Sequence, residues 1–260
     1  MAISENTYRA AQGFTLPLGA VATVAGVSVS LQQVLQRTSL LGSLYLQCDA
    51  AAGEGTVDSI LVGGQETMIS DMSAGWRCFQ PNSSGPADRY MGIPLEQNQQ
   101  VQVDATIAAI GRLSGGLTTD PIAGDFSVVS VDQLGPVLSY CGGLTPIGGQ
   151  PVVAGATVTV NTTIRRDCRI GRIVLYSVGA LAGNVTVDQI QLNALNMQSG
   201  TNVCPIEMYD MNSFADDQNS LFIDAQVNSQ LSITYTNNDP LNNTIVFGCF
   251  WVVPAVPRSA

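Results

Sequence analysis

The sequence predicts an all-β fold built from two tandem β-sandwich domains related by an internal duplication, and three observations carry that prediction. Glycine (26) and proline (12) are set among many Val, Thr, Ile, Asn and Gln residues, a composition that suits short strands joined by turns better than a helical bundle. Sliding the chain over itself by 129 residues aligns two long segments, the mark of a repeated structural unit. Within each segment apolar and polar residues alternate in short runs, as they do in a half-buried strand.

The repeat is readable residue by residue. Pro17 falls on Pro146, Val24-Ala25-Gly26 on Val153-Ala154-Gly155, Val29 on Val158, Arg37 on Arg166, Gly42 on Gly171 and Leu46 on Leu175. One residue is then inserted in the second copy, near Ala52 and Gly183. After it, an offset of 130 superposes Thr56-Val57-Asp58 on Thr186-Val187-Asp188, Ile93 on Ile223 and Val103 on Ile233. A slip of one residue is tolerated in a loop but would turn a strand inside out.

In chain order, Val27, Val29 and Leu31 alternate with Ser28 and Ser30, and Ala156, Val158 and Val160 alternate with Thr157 and Thr159. Each run predicts a strand with one wet face. The next pair of strands is Leu41 to Gln47 and Ile170 to Tyr176, and a third is Thr56 to Val62 and Thr186 to Leu192. A fourth is Gln100 to Val103 and Gln230 to Tyr235. Val34 to Leu41 has room for one short helical turn. Thr244 to Val253 is apolar on both faces, with Ile245, Phe247, Cys249, Trp251 and Val253 on one and Val246, Phe250 and Val252 on the other. Such a strand belongs between two packed layers or at a subunit contact. Its expected counterpart in the first copy is Thr106 to Leu113. The Gly-rich stretch from Ser114, with Gly115 and Gly116, predicts a linker plus one additional strand. The expected division is residues 1–113 for the first sandwich, 114–138 for the linker and 139–260 for the second.

Ten basic residues, all Arg, face twenty acidic ones, so the surface field repels phosphate backbones and no direct nucleic acid contact is expected. The exception to weigh is Arg165, Arg166, Arg169 and Arg172. They form either a solvated strand end or interface ion-pair cluster, or an inner-surface contact with a nucleic acid or another subunit. The N-terminal residues carry Glu5, Asn6 and Arg9 without the apolar stretch of a secretory signal, and no apolar run is long enough to span a bilayer. The expectation is a protein made in the cytoplasm with no signal peptide and no transmembrane segment. Cys48, Cys78, Cys141, Cys168, Cys204 and Cys249 lack CxxC spacing, which predicts reduced, partly buried thiols rather than a disulfide framework.

The chain contains no histidine and no lysine. Serine or cysteine nucleophiles normally use one of them as base, and the same absence removes a Walker lysine, a lysine Schiff base and His-ligated metal centres. No enzyme activity, cofactor or small-molecule ligand is expected. Asp58 and Asp188 could pair as glycosidase carboxylates, but each lies at the matching place in its own copy, which favours a turn or strand-start aspartate accepting backbone N–H bonds. Asp210 to Asn219 offers oxygen ligands without the DxDxDG spacing of a calcium loop. Trp76, Phe79 and Tyr90 are candidates for a sugar-stacking platform or, alternatively, for core or interface residues.

The paired segments Pro17 to Leu46 and Thr56 to Val62, against Pro146 to Leu175 and Thr186 to Leu192, resemble the tandem (double) jelly-roll coat proteins of icosahedral viruses and phages. More loosely, they resemble the jelly-roll cement or decoration proteins of phage heads. That resemblance implies jelly-roll-like sandwiches, location in a virion made in the host cytoplasm, and assembly with itself, as homotrimers, and with other capsid proteins. Three two-barrel chains would present six similar barrels. The candidate interface residues are Ile245, Phe247, Phe250, Trp251 and Val252, with Arg165, Arg166, Arg169 and Arg172. The alternative function is a tandem β-sandwich module that binds a receptor or carbohydrate, as in a fibre tip or lectin.

Overall fold

The computed structural model describes residues 14–36, 38–49, 54–68, 72–80, 90–121, 144–181, 183–198, 203–209 and 220–254. The first copy supplies β1 (Phe14–Thr23), β2 (Val27–Val34), β3 (Ser39–Cys48), β4 (Gly55–Val62), β5 (Gln65–Glu66) and β6 (Ala74–Gly75). A 3₁₀ turn, Trp76–Phe79, leads on to β7 (Tyr90–Leu95), β8 (Gln100–Ile107) and β9 (Gly111–Pro121). The second copy repeats the series with β10 (Leu144–Val152), β11 (Thr157–Thr163), β12 (Cys168–Val178), β13 (Val185–Leu192), β14 (Leu195–Asn196) and β15 (Cys204–Pro205). It closes with a 3₁₀ turn, Ile206–Tyr209, then β16 (Ser220–Ala225), β17 (Gln230–Asn237) and β18 (Thr244–Pro254).

The pairing repeats as well. In the first copy one sheet has the order β1-β9-β3-β7 and the other β2-β8-β4-β5, with β6 on β4. In the second copy the orders are β10-β18-β12-β16 and β11-β17-β13-β14, with β15 on β13. The long strands thus alternate between facing sheets along the chain, with the short β5 and β6, or β14 and β15, staying beside β4 or β13, the jelly-roll plan. The all-β duplicated sandwich expected from the sequence is the fold observed.

Each sandwich closes on alternate residues of its strands. In β4, Val57, Ile60 and Val62 are buried, and in β13 Val187, Ile190 and Leu192 are buried at the equivalent places. Gly26 and Gly155 end the same turn with φ of 69° and 72°, where Val27 N–H and Ala156 N–H return to the carbonyls of Val24 and Val153. Only glycine takes that left-handed conformation without cost, so the Val-Ala-Gly triplet is retained in both copies for its turn geometry.

Two expectations are corrected. Residues 34–41 hold no helical turn among those described. Leu35 instead continues the extended path, donating to Gln99 O and accepting from Asn98 N–H, with its side chain buried. The counterpart of Thr244 to Val253 is also not Thr106 to Leu113. β8 runs on to Ile107, and β9, which matches β18, spans Gly111–Pro121, so position 113 falls inside a strand. The loop before β18, residues 238–243, is three residues longer than the loop before β9, residues 108–110, which breaks the offset of 130. Gly115 is a strand residue beneath the core: a Cβ there would meet Leu46 Cδ2 at 2.7 Å and Leu31 Cδ1 at 3.2 Å. Among the described residues no helix is long and apolar enough to cross a membrane.

Candidate functional site

The feature that distinguishes this chain from two independent sandwiches is an apolar seam between them. In β18 the side chains alternate: Val246 and Phe250 enter the core of the second sandwich, while Phe247 and Cys249 join the buried cluster of the first. The neighbouring strand β12 does the same. Ile173 and Leu175 point into the second core, and Val174 and Tyr176 point across the seam. One sheet therefore buries both faces, and its outer face is covered by β6 and the Trp76–Phe79 turn of the first sandwich.

The contact is close because the receiving edge is small. Gly75 has no side chain, and a Cβ there would stand 2.5 Å from the Tyr176 hydroxyl and 2.7 Å from Phe247 Cβ. Tyr176 and Phe247 stack with ring centroids 5.2 Å apart and planes inclined by 22°. The Arg77 guanidinium lies 5.8 Å from the Tyr176 ring centre, a distance at which a cation is drawn to the ring face. Burial pushes the Tyr176 phenol well above its ordinary value, and the Cys78 thiol adds to the rise while Arg77 opposes it. The phenol stays neutral. Arg166, from the second sandwich, donates to the carbonyl of Glu66 in the first at 3.4 Å.

The expected interface residues are thereby distributed. Phe247 is buried across the seam and Ile245 packs half-buried beside it, whereas Phe250 is enclosed in the second core. Trp251 and Val252 pair through their backbones with Leu144, Arg172 and Ile170, and their side chains lie outside those described. Of the arginines, Arg165 and Arg166 are exposed, Arg169 pairs with Asp224 at 2.8 Å, and Arg172 follows a bulge in β12 with its side chain outside those described.

Asp58 and Asp188 occupy the same environment in separate sandwiches and do not form a pair. Each is the extra residue of a bulge against β8 or β17. Asp58 accepts the hydroxyls of Thr56 at 2.7 Å and Thr106 at 2.6 Å, and Asp188 accepts those of Thr186 and Thr236. Threonine hydroxyls fill the place expected of backbone N–H groups. On the same wet face of the first copy, Asp104 accepts from Ser30, Ser59 and Gln102. Partial burial raises its carboxyl, but these three donors together outweigh burial and hold it below the usual value.

Trp76 is 2% exposed and Phe79 is fully buried, so neither can stack on a sugar, and the Tyr90 side chain lies outside those described. The candidate calcium loop Asp210 to Asn219 also lies outside the described residues, and among those described no acidic or sulfur cluster could hold a metal. Cys48, Cys78, Cys168, Cys204 and Cys249 are thiols outside any disulfide. Sequence reasoning missed the receiving edge, Ala74 to Cys78. The signal available was an imbalance between copies: Tyr176, Phe247 and Cys249 in the second stand where the first has Gln47, Ser114 and Gly116.

Neither a family model nor a curated protein matches the chain. Among solved structures it is similar to the major capsid protein P2 from Bacteriophage PM2, at 12% identity over 96% of this chain and 100% of that one, with a TM-score of 0.43. It is similar to the STIV MCP at 10% identity over 94% of this chain and 97% of that one, TM-score 0.43. It is also similar to a chain of the atomic structure of Sulfolobus Turreted Icosahedral Virus, at 11% identity over 94% and 91%, TM-score 0.41.

Proposed function

We propose that this chain is a virion structural protein, a coat or cement subunit that assembles as a homotrimer into or onto an icosahedral shell and takes no part in catalysis. The observation that carries the reading is the seam. It joins two sandwiches of one plan head to tail, the outer sheet face of one against the edge of the other, through different surfaces on each. A contact of that heterologous kind can be repeated, and it closes into a ring where the rotation permits. Three such chains supply six sandwiches, a block with near-sixfold outline suited to tiling a curved shell. The lack of any histidine or lysine and the burial of Trp76 and Phe79 remove the usual catalytic bases and the candidate sugar platform, which favours assembly over the carbohydrate-binding alternative.

The test is the mass of the purified protein by light scattering across a concentration series, with negative-stain images of the same sample. The expected result is a species of three 27.3 kDa chains with a six-lobed outline. A stable monomer at the highest attainable concentration, with no rings or shells in the images, would overturn the proposal.

A further inference from the structure

We infer that the seam inside the chain is repeated between chains: the edge formed by β15 and Ile206–Tyr209 docks on the outer face of β3 and β9 in another copy. This deepens the assembly reading above and rests on it. The starting point is strand register. Tyr176 pairs with Phe247 and Val174 with Cys249 in the second sandwich, and Gln47 pairs with Ser114 and Tyr45 with Gly116 at the same places in the first. On the edge, Ala74, Gly75 and Cys78 correspond to Cys204, Pro205 and Met208.

Inside the chain both surfaces are covered, with Ala74, Cys78 and Cys249 at 0% exposure. Their counterparts are more exposed. Met208 is 47% exposed and Val203, which leads into β15, 52%, Pro205 and Gln47 are exposed, and Tyr45, Ser114, Gly116 and Cys204 are half-buried. Exposed Val203, Pro205 and Met208, on the copy of a surface that is buried elsewhere in the same molecule, mark an area that a second copy can cover.

The side chains also fit. Where the internal seam sets a small edge against a bulky face, Gly75 under Tyr176 and Phe247, the open surfaces set a bulkier edge against a hollowed face. Pro205 and Met208 replace Gly75 and Cys78, while Gln47, Ser114 and Gly116 replace Tyr176, Phe247 and Cys249. Bulk has moved from one side of the contact to the other, leaving the space between roughly filled, as close packing at an interface core demands. Only Tyr45, larger than Val174, departs from the exchange. The contact between chains is more polar than the one within, which suits a joint that forms and reopens during assembly.

The experiment is a cross-link. A Cβ at Gly75 would lie 2.7 Å from Phe247 Cβ, so the equivalent pair is within disulfide reach after a small separation. In a Cys204→Ser background, which removes a neighbouring thiol, Ser114→Cys with Pro205→Cys is expected to give a reducible ladder of cross-linked chains on mild oxidation. Either substitution alone gives none, and mixing the two single variants gives cross-linked dimers only. Independently, Met208→Glu sets a charge in the proposed contact, so association weakens tenfold or more, and a thermal melt of the same variant reports separately whether the fold is kept. If the parent protein is oligomeric yet the double variant yields no ladder and Met208→Glu associates normally, this surface is wrong and the assembly reading survives. A parent that is monomeric at every concentration overturns both.

Discussion

At Asp58 and Asp188 one residue type does the same task twice. A bulge leaves the strand locally unpaired, and the carboxylate gathers the hydroxyls of a threonine two residues back and of another brought alongside by β8 or β17. Replacing either aspartate by alanine is expected to lower stability by about 1 kcal/mol, the scale of a net hydrogen bond near the surface. Urea titration of the two single variants checks it, and their effects add because the sites belong to different cores. The Thr-Val-Asp triplet was legible as a retained motif, but Thr106 and Thr236 lie 48 residues away, beyond any local pattern. The thiols follow burial in the same way. Cys168 is pushed up to about 12 by burial, with Asp167 and Asp224 adding to the rise, and Cys78 and Cys249 are enclosed. Among these five thiols, a disulfide reagent at roughly pH 8 should modify half-exposed Cys204 and Cys48 first, since the thiolate is the attacking species; fast labelling of native Cys168 would contradict the packing described.

Among the elements, the loop before β18 shows how a short insertion rewrites a repeat. Residues 238–243 fold around Asp239, which accepts from the backbone N–H groups of Leu241 at 3.0 Å, Asn242 at 2.9 Å and Leu181 at 3.2 Å. The Leu241 N–H first, then the Asn242 side chain, hold its carboxyl well below the usual carboxylate range. A carboxyl lowered in the folded state stabilises fully above its unfolded value, about 4, and loses that contribution as the pH falls below it. Asp239→Asn is therefore expected to lower the melting temperature at neutral pH and to flatten its decline between roughly pH 4 and 2, measured by melts across that range. An unchanged acid slope would show that the carboxylate is not what holds the loop. This loop is also why β9 was illegible as the partner of β18: its extra residues shift the register, and Gly115-Gly116 has the look of a linker. In the fold, Gly115 is bare because Leu46 and Leu31 press against it, a reason that depends on strands not yet paired.

For the whole molecule, the two cores were readable because period-two alternation fixes which side chains face inward. The seam was readable only by halves. The doubly apolar β18 announced a second packed layer, but its partner is an edge whose defining residue, Gly75, acts by having nothing to read. The buried cluster of the first sandwich reaches into the second, taking in Val174, Tyr176, Phe247 and Cys249 beside the second sandwich's own core, so the two should unfold together. Gly75→Val tests this directly. Its side chain must occupy space already held by the Tyr176 hydroxyl and Phe247 Cβ, and neither sheet can yield without opening the seam. The cost of overpacking such a site is about 1–3 kcal/mol, and it falls on the joint, leaving each core's own contacts intact. Calorimetry of the parent should show one transition, and that of Gly75→Val two, the earlier one marking the sandwich that relied more on the joint. A variant that keeps a single transition at the parent temperature would mean that the sandwiches stand independently and that the seam is too soft to couple them.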